Sequence, residues 1–181
     1  MGLHTITGSV VKSKPLFGFT GGMWFQIKMS KSWTMQSELT LIEKGTGGDH
    51  QSQPQYGDYW VNLFYFEVPI LFQYNMKNGY VEFGTGLAAL RHAGEVSNGV
   101  ALPYQTDDYP FNKNDFSFNL GAGFILNEKW RAGVRMNHSL LPIRKQVPEA
   151  SQPTYNRGVV FSISRQINFK ASKTKQSEGS E

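Results

Sequence analysis

Residues 62–74, NLFYFEVPILFQY, constrain the fold most strongly, because large apolar side chains occupy every second position. These side chains are Phe64, Phe66, Val68, Ile70 and Phe72. Side chains of a β-strand alternate between its two faces, so the segment predicts a strand with one uniformly apolar face. The opposite face carries Glu67 in the middle of the run. We therefore expect a strand that separates an apolar environment from a polar one.

The same period of two recurs along the chain, whereas helical periodicity does not extend over any useful length. The other predicted strands are 17–29, 33–41, 80–92, 116–126, 130–137 and 159–169. Short turns such as NMKNG alternate with three long loops. We place these loops at residues 45–59, 94–114 and 142–157. This alternation is typical of an up-and-down antiparallel sheet with tight turns at one end and long loops at the other.

A further strand is expected before residue 17, and residues 2–7, GLHTIT, match the end of one. The count is then eight, with the first strand truncated. A chain that begins within its first strand also accounts for MGLHTITGSV, which lacks the basic start and apolar run of a signal peptide. We expect one barrel domain over residues 1–169 and a disordered polar tail over 170–181, which is low in complexity.

Composition excludes several classes of protein. The chain has no cysteine, so it forms neither a disulfide scaffold nor a thiolate metal site. No segment approaches 18 consecutive apolar residues, the length that a transmembrane helix needs. The formal net charge of +4 is modest and forms no patch interleaved with exposed aromatics. Nucleic acid is therefore not an expected partner, and we expect no cofactor.

The direction of the apolar face decides between two kinds of barrel. A soluble barrel of the lipocalin kind turns this face inward and binds a small apolar ligand, whereas a membrane barrel turns it towards lipid. The polar face is rich in glycine, which relieves crowding in the lumen of a narrow barrel. The same face carries charges of both signs, which can pair in a closed interior. These charges are Glu38, Glu67, Glu82, Arg131 and Arg135.

Aromatic side chains support the membrane alternative. Trp33, Tyr74 and Trp130 lie on the apolar face beside short turns, as in the aromatic girdle at a membrane interface. We therefore expect an all-β fold, an eight-stranded antiparallel up-and-down transmembrane β-barrel in which Glu67 faces a polar interior. Pro69 donates no hydrogen bond to a sheet, so we expect a β-bulge at that position.

Four segments of the chain resemble a known family. They are YFEVPILFQYNMKNGYVEFGTGLAALRHAG, MQSELTLIEKG, FNLGAGFILNEKWRAGVRMNHSLLPI and YNRGVVFSISRQINF. Together they are similar to the PorT-like (porin-family) outer-membrane β-barrel domain of the Bacteroidota. The resemblance spans most of the chain from Phe17 to Phe169 and implies an eight-stranded barrel in the bacterial outer membrane. Some members of that family serve in protein secretion. The truncated first strand and the residues beyond Phe169 depart from the pattern.

A lipid-modifying hydrolase of the outer membrane is a further alternative, because His138 and Ser139 are adjacent. Neighbouring residues of a strand point to opposite faces, so these two cannot form a nucleophile–base pair without a bulge. Other candidate ligands lie in the predicted long loops without the spacing of a metal site. They are His50 with Asp49 and Asp58, and Asp107 and Asp108 with Asp115. We expect neither enzymatic activity nor a bound metal.

The expected role is that of a membrane anchor, an interaction surface or a component of a secretion apparatus. The interior charges could form a proton path, but a small barrel leaves no aqueous channel, and we favour a structural ion-pair network. The expected partners are outer-membrane lipid and, as a possibility that the long loops offer, a protein bound there. Exposed loop aromatics are the contact candidates, unless they fold the loops back. These are Tyr104, Tyr109, Phe111 and Tyr155.

Overall fold

The computed structural model describes most of the chain and consists of β-strands joined by turns. The described residues are 1–7, 14–48, 59–102, 110–144 and 153–167. No helix in these ranges has the length and apolarity needed to cross a membrane. The strands are β1 (Gly2–Thr7), β2 (Lys14–Gly18), β3 (Thr20–Lys28), β4 (Trp33–Gly48), β5 (Tyr59–Asn75), β6 (Gly79–Ser97), β7 (Val100–Leu102), β8 (Asn114–Ile125), β9 (Trp130–Ser139) and β10 (Tyr155–Arg165).

The strands form one antiparallel sheet in the order β2-β1-β10-β9-β8-β6-β5-β4-β3. Phe19 separates β2 from β3, and both pair with β4, so they act as one interrupted strand. Because β2 also pairs with β1, the sheet closes into a ring of eight strands. The short strand β7 lies outside this ring and pairs with β6. The predicted all-β, eight-stranded antiparallel barrel is therefore confirmed.

The two faces of β5 differ as the sequence predicts. Phe64 and Ile70 point outward and are exposed, and Phe66, Val68 and Phe72 on the same face are partly exposed. The alternating residues on the other face are buried: Tyr65, Glu67, Pro69, Leu71 and Gln73. The same division holds around the barrel, where exposed apolar side chains form the outer surface and polar side chains are enclosed.

The predicted bulge at Pro69 is wrong. Pro69 pairs with Gly86 of β6 without a change of register. On the β4 side, the pairs Ser37–Ile70 and Thr40–Glu67 flank the proline in one register. The missing N–H of Pro69 therefore removes one hydrogen bond between strands, but it does not require the extra residue of a β-bulge. The irregularity of β5 lies between Phe64 and Tyr65.

Strands extend further towards the long loops than the apolar pattern of the sequence predicts. β4 continues to Gly48 and β6 to Ser97, so the predicted loops 45–59 and 94–114 are partly sheet. A hairpin joins β6 to β7 through Asn98 and Gly99, whose φ angles are 51° and 76°. An Asn-Gly pair suits a two-residue hairpin turn because both positions need positive φ. The barrel wall therefore rises above its apolar band at this end.

Candidate functional site

The first ion-pair group in the interior, the lower cluster, lies nearer the short turns and consists of Arg135, Glu38 and Glu82. Both terminal nitrogens of the Arg135 guanidinium donate to Glu38, at 2.8 and 2.6 Å. Its Nε donates to Glu82 Oε1 at 2.7 Å. These bonds join β9 to β4 and β6 across the lumen. A bidentate pair of this kind fixes the positions of both partners as well as balancing charge.

Glutamine side chains complete the lower cluster. Gln36 Nε2 donates to Glu38 at 2.6 Å, and Gln73 Nε2 donates to Glu82 at 2.8 Å. Gln26 in turn donates to the side-chain oxygens of Gln36 and Gln73, each at 2.7 Å. A buried charge is tolerated when its remaining hydrogen-bonding capacity is satisfied. Glu38 and Glu82 carry two negative charges and share one arginine, so the glutamine hydrogen bonds help to stabilise the second enclosed carboxylate.

A second group, the upper cluster, lies nearer the long loops and consists of Lys44, Glu67 and Asp115. The Lys44 Nζ lies 2.9 Å from Glu67 Oε2 and 3.5 Å from Asp115 Oδ2. It also donates to Asn137 Oδ1 at 3.3 Å and lies 5.1 Å from the centre of the Tyr65 ring. The Lys44 side chain is only 1% exposed. This ammonium therefore depends on the protein alone for its solvation.

Four of the five interior charges predicted from the sequence belong to these two clusters. Glu38, Glu82 and Arg135 are brought together, whereas Glu67 pairs with Lys44 instead. Arg131 forms no ion pair within the described residues. Its guanidinium lies 5.4 Å from the ring centre of Trp24 and 5.9 Å from that of Tyr80. Arg131 therefore makes cation–π contacts with aromatic rings instead of the ion pair with a carboxylate that was expected.

Two members of the upper cluster, Lys44 and Asp115, are not among the interior charges predicted from the sequence. Asp115 was expected in a loop, but it lies inside the barrel. Asp115 belongs to β8 and is 1% exposed. The signal was present in the alternation: Lys44 continues the inward phase of Glu38, and Asp115 begins the inward phase of Ser117. Both lie just beyond the strand ends set by the apolar face. Both residues would have been predicted if the inward positions of each strand had been continued past its last apolar residue.

A group of apolar side chains, the apolar plug, surrounds the upper cluster and extends beyond it towards the long loops. The members of this apolar plug are Ile6, Ile42, Val61, Leu63, Tyr65, Ala88, Ala93, Phe111 and Ile143. Phe111 and Ile143 come from the connections and fold over the mouth of the barrel. Arg144 holds this cover, because its guanidinium lies 4.5 Å from the Phe111 ring centre and donates to Glu95 at 2.9 Å. The plug closes the described part of the interior towards the long loops.

A cavity of about 210 Å³ lies in the polar part of the lumen. Its lining includes Glu38, Glu67, Tyr80 and the two arginines, Arg131 and Arg135. It also reaches the wall between β3 and β10, where the facing edges of residues 20–28 and 162–165 carry no strand partner among the described residues. Lys44, Glu67 and Tyr65 are at most 2% exposed, so no open axial channel passes the level of the upper cluster in the described interior.

Two of the four loop candidates, Phe111 and Tyr155, lie among the described residues, and neither is fully exposed. Phe111 is 6% exposed and belongs to the apolar plug, so its assignment as a contact residue is wrong. It packs inward because its connection folds back over the barrel mouth. Tyr155 is half-buried, with its ring centre 6.2 Å from that of His138. Tyr104 and Tyr109 lie outside the described residues.

The aromatic residues predicted for the girdle lie on the outer face at the short-turn end. The Trp33 and Tyr74 rings pack edge-to-face with centres 5.3 Å apart. Trp130 is 41% exposed, and the Arg165 guanidinium lies 5.9 Å from its ring centre. Each ring therefore lies on the apolar outer face and at the same time close to the polar turn at the end of its strand. That arrangement suits the interface between hydrocarbon and headgroups.

The hydrolase candidates are placed on opposite faces of β9. Ser139 is buried and accepts a hydrogen bond from the Asn156 backbone at 3.2 Å, whereas His138 lies on the outer face. No cluster of three or more potential metal ligands occurs among the described residues. The remaining loop ligands considered above lie outside those residues. They are Asp49, His50, Asp58, Asp107 and Asp108.

A closed antiparallel sheet with an apolar outside, a charged inside and aromatics at its rim defines an integral membrane β-barrel. The chain belongs to the family described as outer membrane protein beta-barrel domain, whose model matches residues 2–172. It is therefore an integral barrel of the bacterial outer membrane, and the soluble lipocalin-like alternative is wrong. No curated protein matches the chain.

Proposed function

We propose that this barrel is a non-enzymatic membrane anchor that presents its long-loop end to a protein partner. The PorT-like resemblance narrows the proposal to an interaction surface or component of a secretion apparatus in the Bacteroidota. The observation that carries it is the interior, where two ion-pair clusters and an apolar plug occupy most of the space beside one polar cavity. Because the interior side chains serve to stabilise the barrel, a protein partner would bind at the external, long-loop end.

The build of that end supports a recognition role. The β6–β7 hairpin extends the barrel wall, and Val100 at its tip is 64% exposed. The Arg144–Glu95 ion pair holds the neighbouring connection against the mouth. Surfaces held in one conformation bind with less loss of conformational entropy. Catalysis gains no comparable support, since His138 and Ser139 face opposite sides of the strand.

A photo-reactive residue placed at Val100 in intact cells tests the proposal. We expect a discrete covalent adduct with one protein, because this position lies at the presented end. The matched control is Leu87, which is 60% exposed on the outer apolar face. It should label lipid instead of that protein. Absence of a protein adduct at Val100, or the same adduct at both positions, would contradict the proposed interaction surface.

A further inference from the structure

The outer wall has an apolar groove at the short-turn end. It crosses β6, β8, β9 and β10 and encloses about 580 Å³. Its floor includes Ala122 and Ala132, which point outward from paired strands where most other outward residues are large. Phe124, Val134 and Phe161 form raised sides and are 71%, 40% and 53% exposed. Two small side chains among large ones thus create a depression in a surface that faces hydrocarbon.

The groove has dimensions and chemistry suited to a hydrocarbon chain. Its volume falls within the range of about 300–1,000 Å³ that is usual for small-molecule sites. Its lining is mainly aliphatic and aromatic, with Lys77 and Asn78 at the end nearest the turns. An elongated apolar molecule with a polar end directed at the turns would match this distribution. A membrane lipid has that form.

Charge at the same rim identifies the class of headgroup. The short-turn end carries five exposed cations among the described residues and one exposed carboxylate, Glu128. The cations are Lys28, Lys31, Lys77, Lys129 and Arg165. None of the five forms an ion pair with a carboxylate in the described part of the chain. This rim therefore favours an anionic ligand, and Lys77 lies both in the rim and in the groove.

We propose that the groove binds an acyl chain of an anionic glycerophospholipid, with the Lys77 ammonium contacting its phosphate. Short turns of outer-membrane barrels face the periplasm, so this rim meets the phospholipid layer of the membrane. Basic side chains near a bilayer surface attract anionic headgroups, while the groove supplies the complementary apolar contact. The inference is independent of what the long loops bind.

The test counts lipids retained by the folded full chain in native mass spectrometry. Phosphatidylglycerol and phosphatidylcholine with identical acyl chains are the two probes. We expect phosphatidylglycerol to be retained roughly fivefold better, the order expected of one lysine at an anionic surface. Lys77→Gln should abolish this preference, and Ala132→Phe should reduce retention of both lipids by filling the groove.

Matched controls are Lys113→Gln, an exposed lysine beside β8 at the long-loop end, and Ala89→Phe, on the outer face outside the groove. Both should retain lipid as the parent does. Equal retention of the two lipids by the parent, or unchanged retention by folded Ala132→Phe, would overturn the proposal. Ala122→Leu replaces Ala132→Phe if the latter does not fold. Folding is followed separately as the change in electrophoretic mobility on boiling, which distinguishes a lost site from a lost barrel.

Discussion

Replacing Lys44 with methionine is expected to lower the free energy of unfolding by about 3–5 kcal/mol, the usual cost of breaking a buried ion pair. The substitution leaves Glu67 and Asp115 enclosed without the cation that lies 2.9 and 3.5 Å from them. Hydrogen bonds from Asn137 and Asn156 to these carboxylates remain but carry no balancing charge. Urea unfolding in lipid vesicles, followed by tryptophan fluorescence, measures the loss.

Two variants make the cause of that loss identifiable. Lys31→Met, on an exposed turn, should change the free energy of unfolding by no more than about 0.5 kcal/mol. Combining Lys44→Met with Glu67→Gln and Asp115→Asn should recover much of the stability, because a neutral group of similar shape leaves no unpaired charge. If Lys44→Met alone matched the parent, the upper cluster would not stabilise the barrel as described.

The second large effect is expected at Leu120, which is 52% exposed at the middle of the outer face of β8. An arginine at the bilayer midplane costs about 2–4 kcal/mol, and near the interface about 0–1 kcal/mol. Leu120→Arg should therefore lower the free energy of unfolding in vesicles by the larger amount. The same vesicle unfolding experiment measures it.

Asn114→Arg is the control for depth, since Asn114 is exposed at the long-loop end of the same strand. It should cost little, because the guanidinium reaches the headgroup region. Equal losses at both positions would mean that the cost does not depend on depth in lipid. That result would contradict the placement of the outer face of β8 across the bilayer.

The period-two pattern was sufficient to predict the strands and, with the alternation of short and long connections, their antiparallel order. The outward direction of the apolar face needed further evidence, namely the glycines and charges of both signs on the polar face and the aromatic residues beside the short turns. The failure of the period-two pattern at the long-loop end has a physical cause. Beyond Leu41, the outward residues of β4 are Glu43 and Gly45, because the wall has left the apolar layer. The strand continues there, with its inward residues still buried, but its outward residues are no longer apolar. The parts of strands that lie above the membrane therefore have no alternating apolar residues by which the sequence could reveal them.

The partners of the interior charges could not be predicted from alternation alone. Alternation shows that Glu38, Glu67 and Arg135 share the lumen, but not their relative heights along the barrel axis. Those heights depend on the register between strands and on the extension of β4 to include Lys44. Phe111 illustrates a second limit, since burial of a loop aromatic depends on the path of the connection that carries it.

The lipid-facing assignment of the opening strand can be tested residue by residue, since the chain has no cysteine of its own. Single cysteines at positions 62–74 would each carry a spin label in folded barrels reconstituted into vesicles. We predict that accessibility to oxygen dissolved in the bilayer alternates, high at Phe64, Phe66, Val68, Ile70 and Phe72 and low at the positions between them. Alternation of the opposite phase, or none, would contradict the account of an apolar face in lipid and a charged face within.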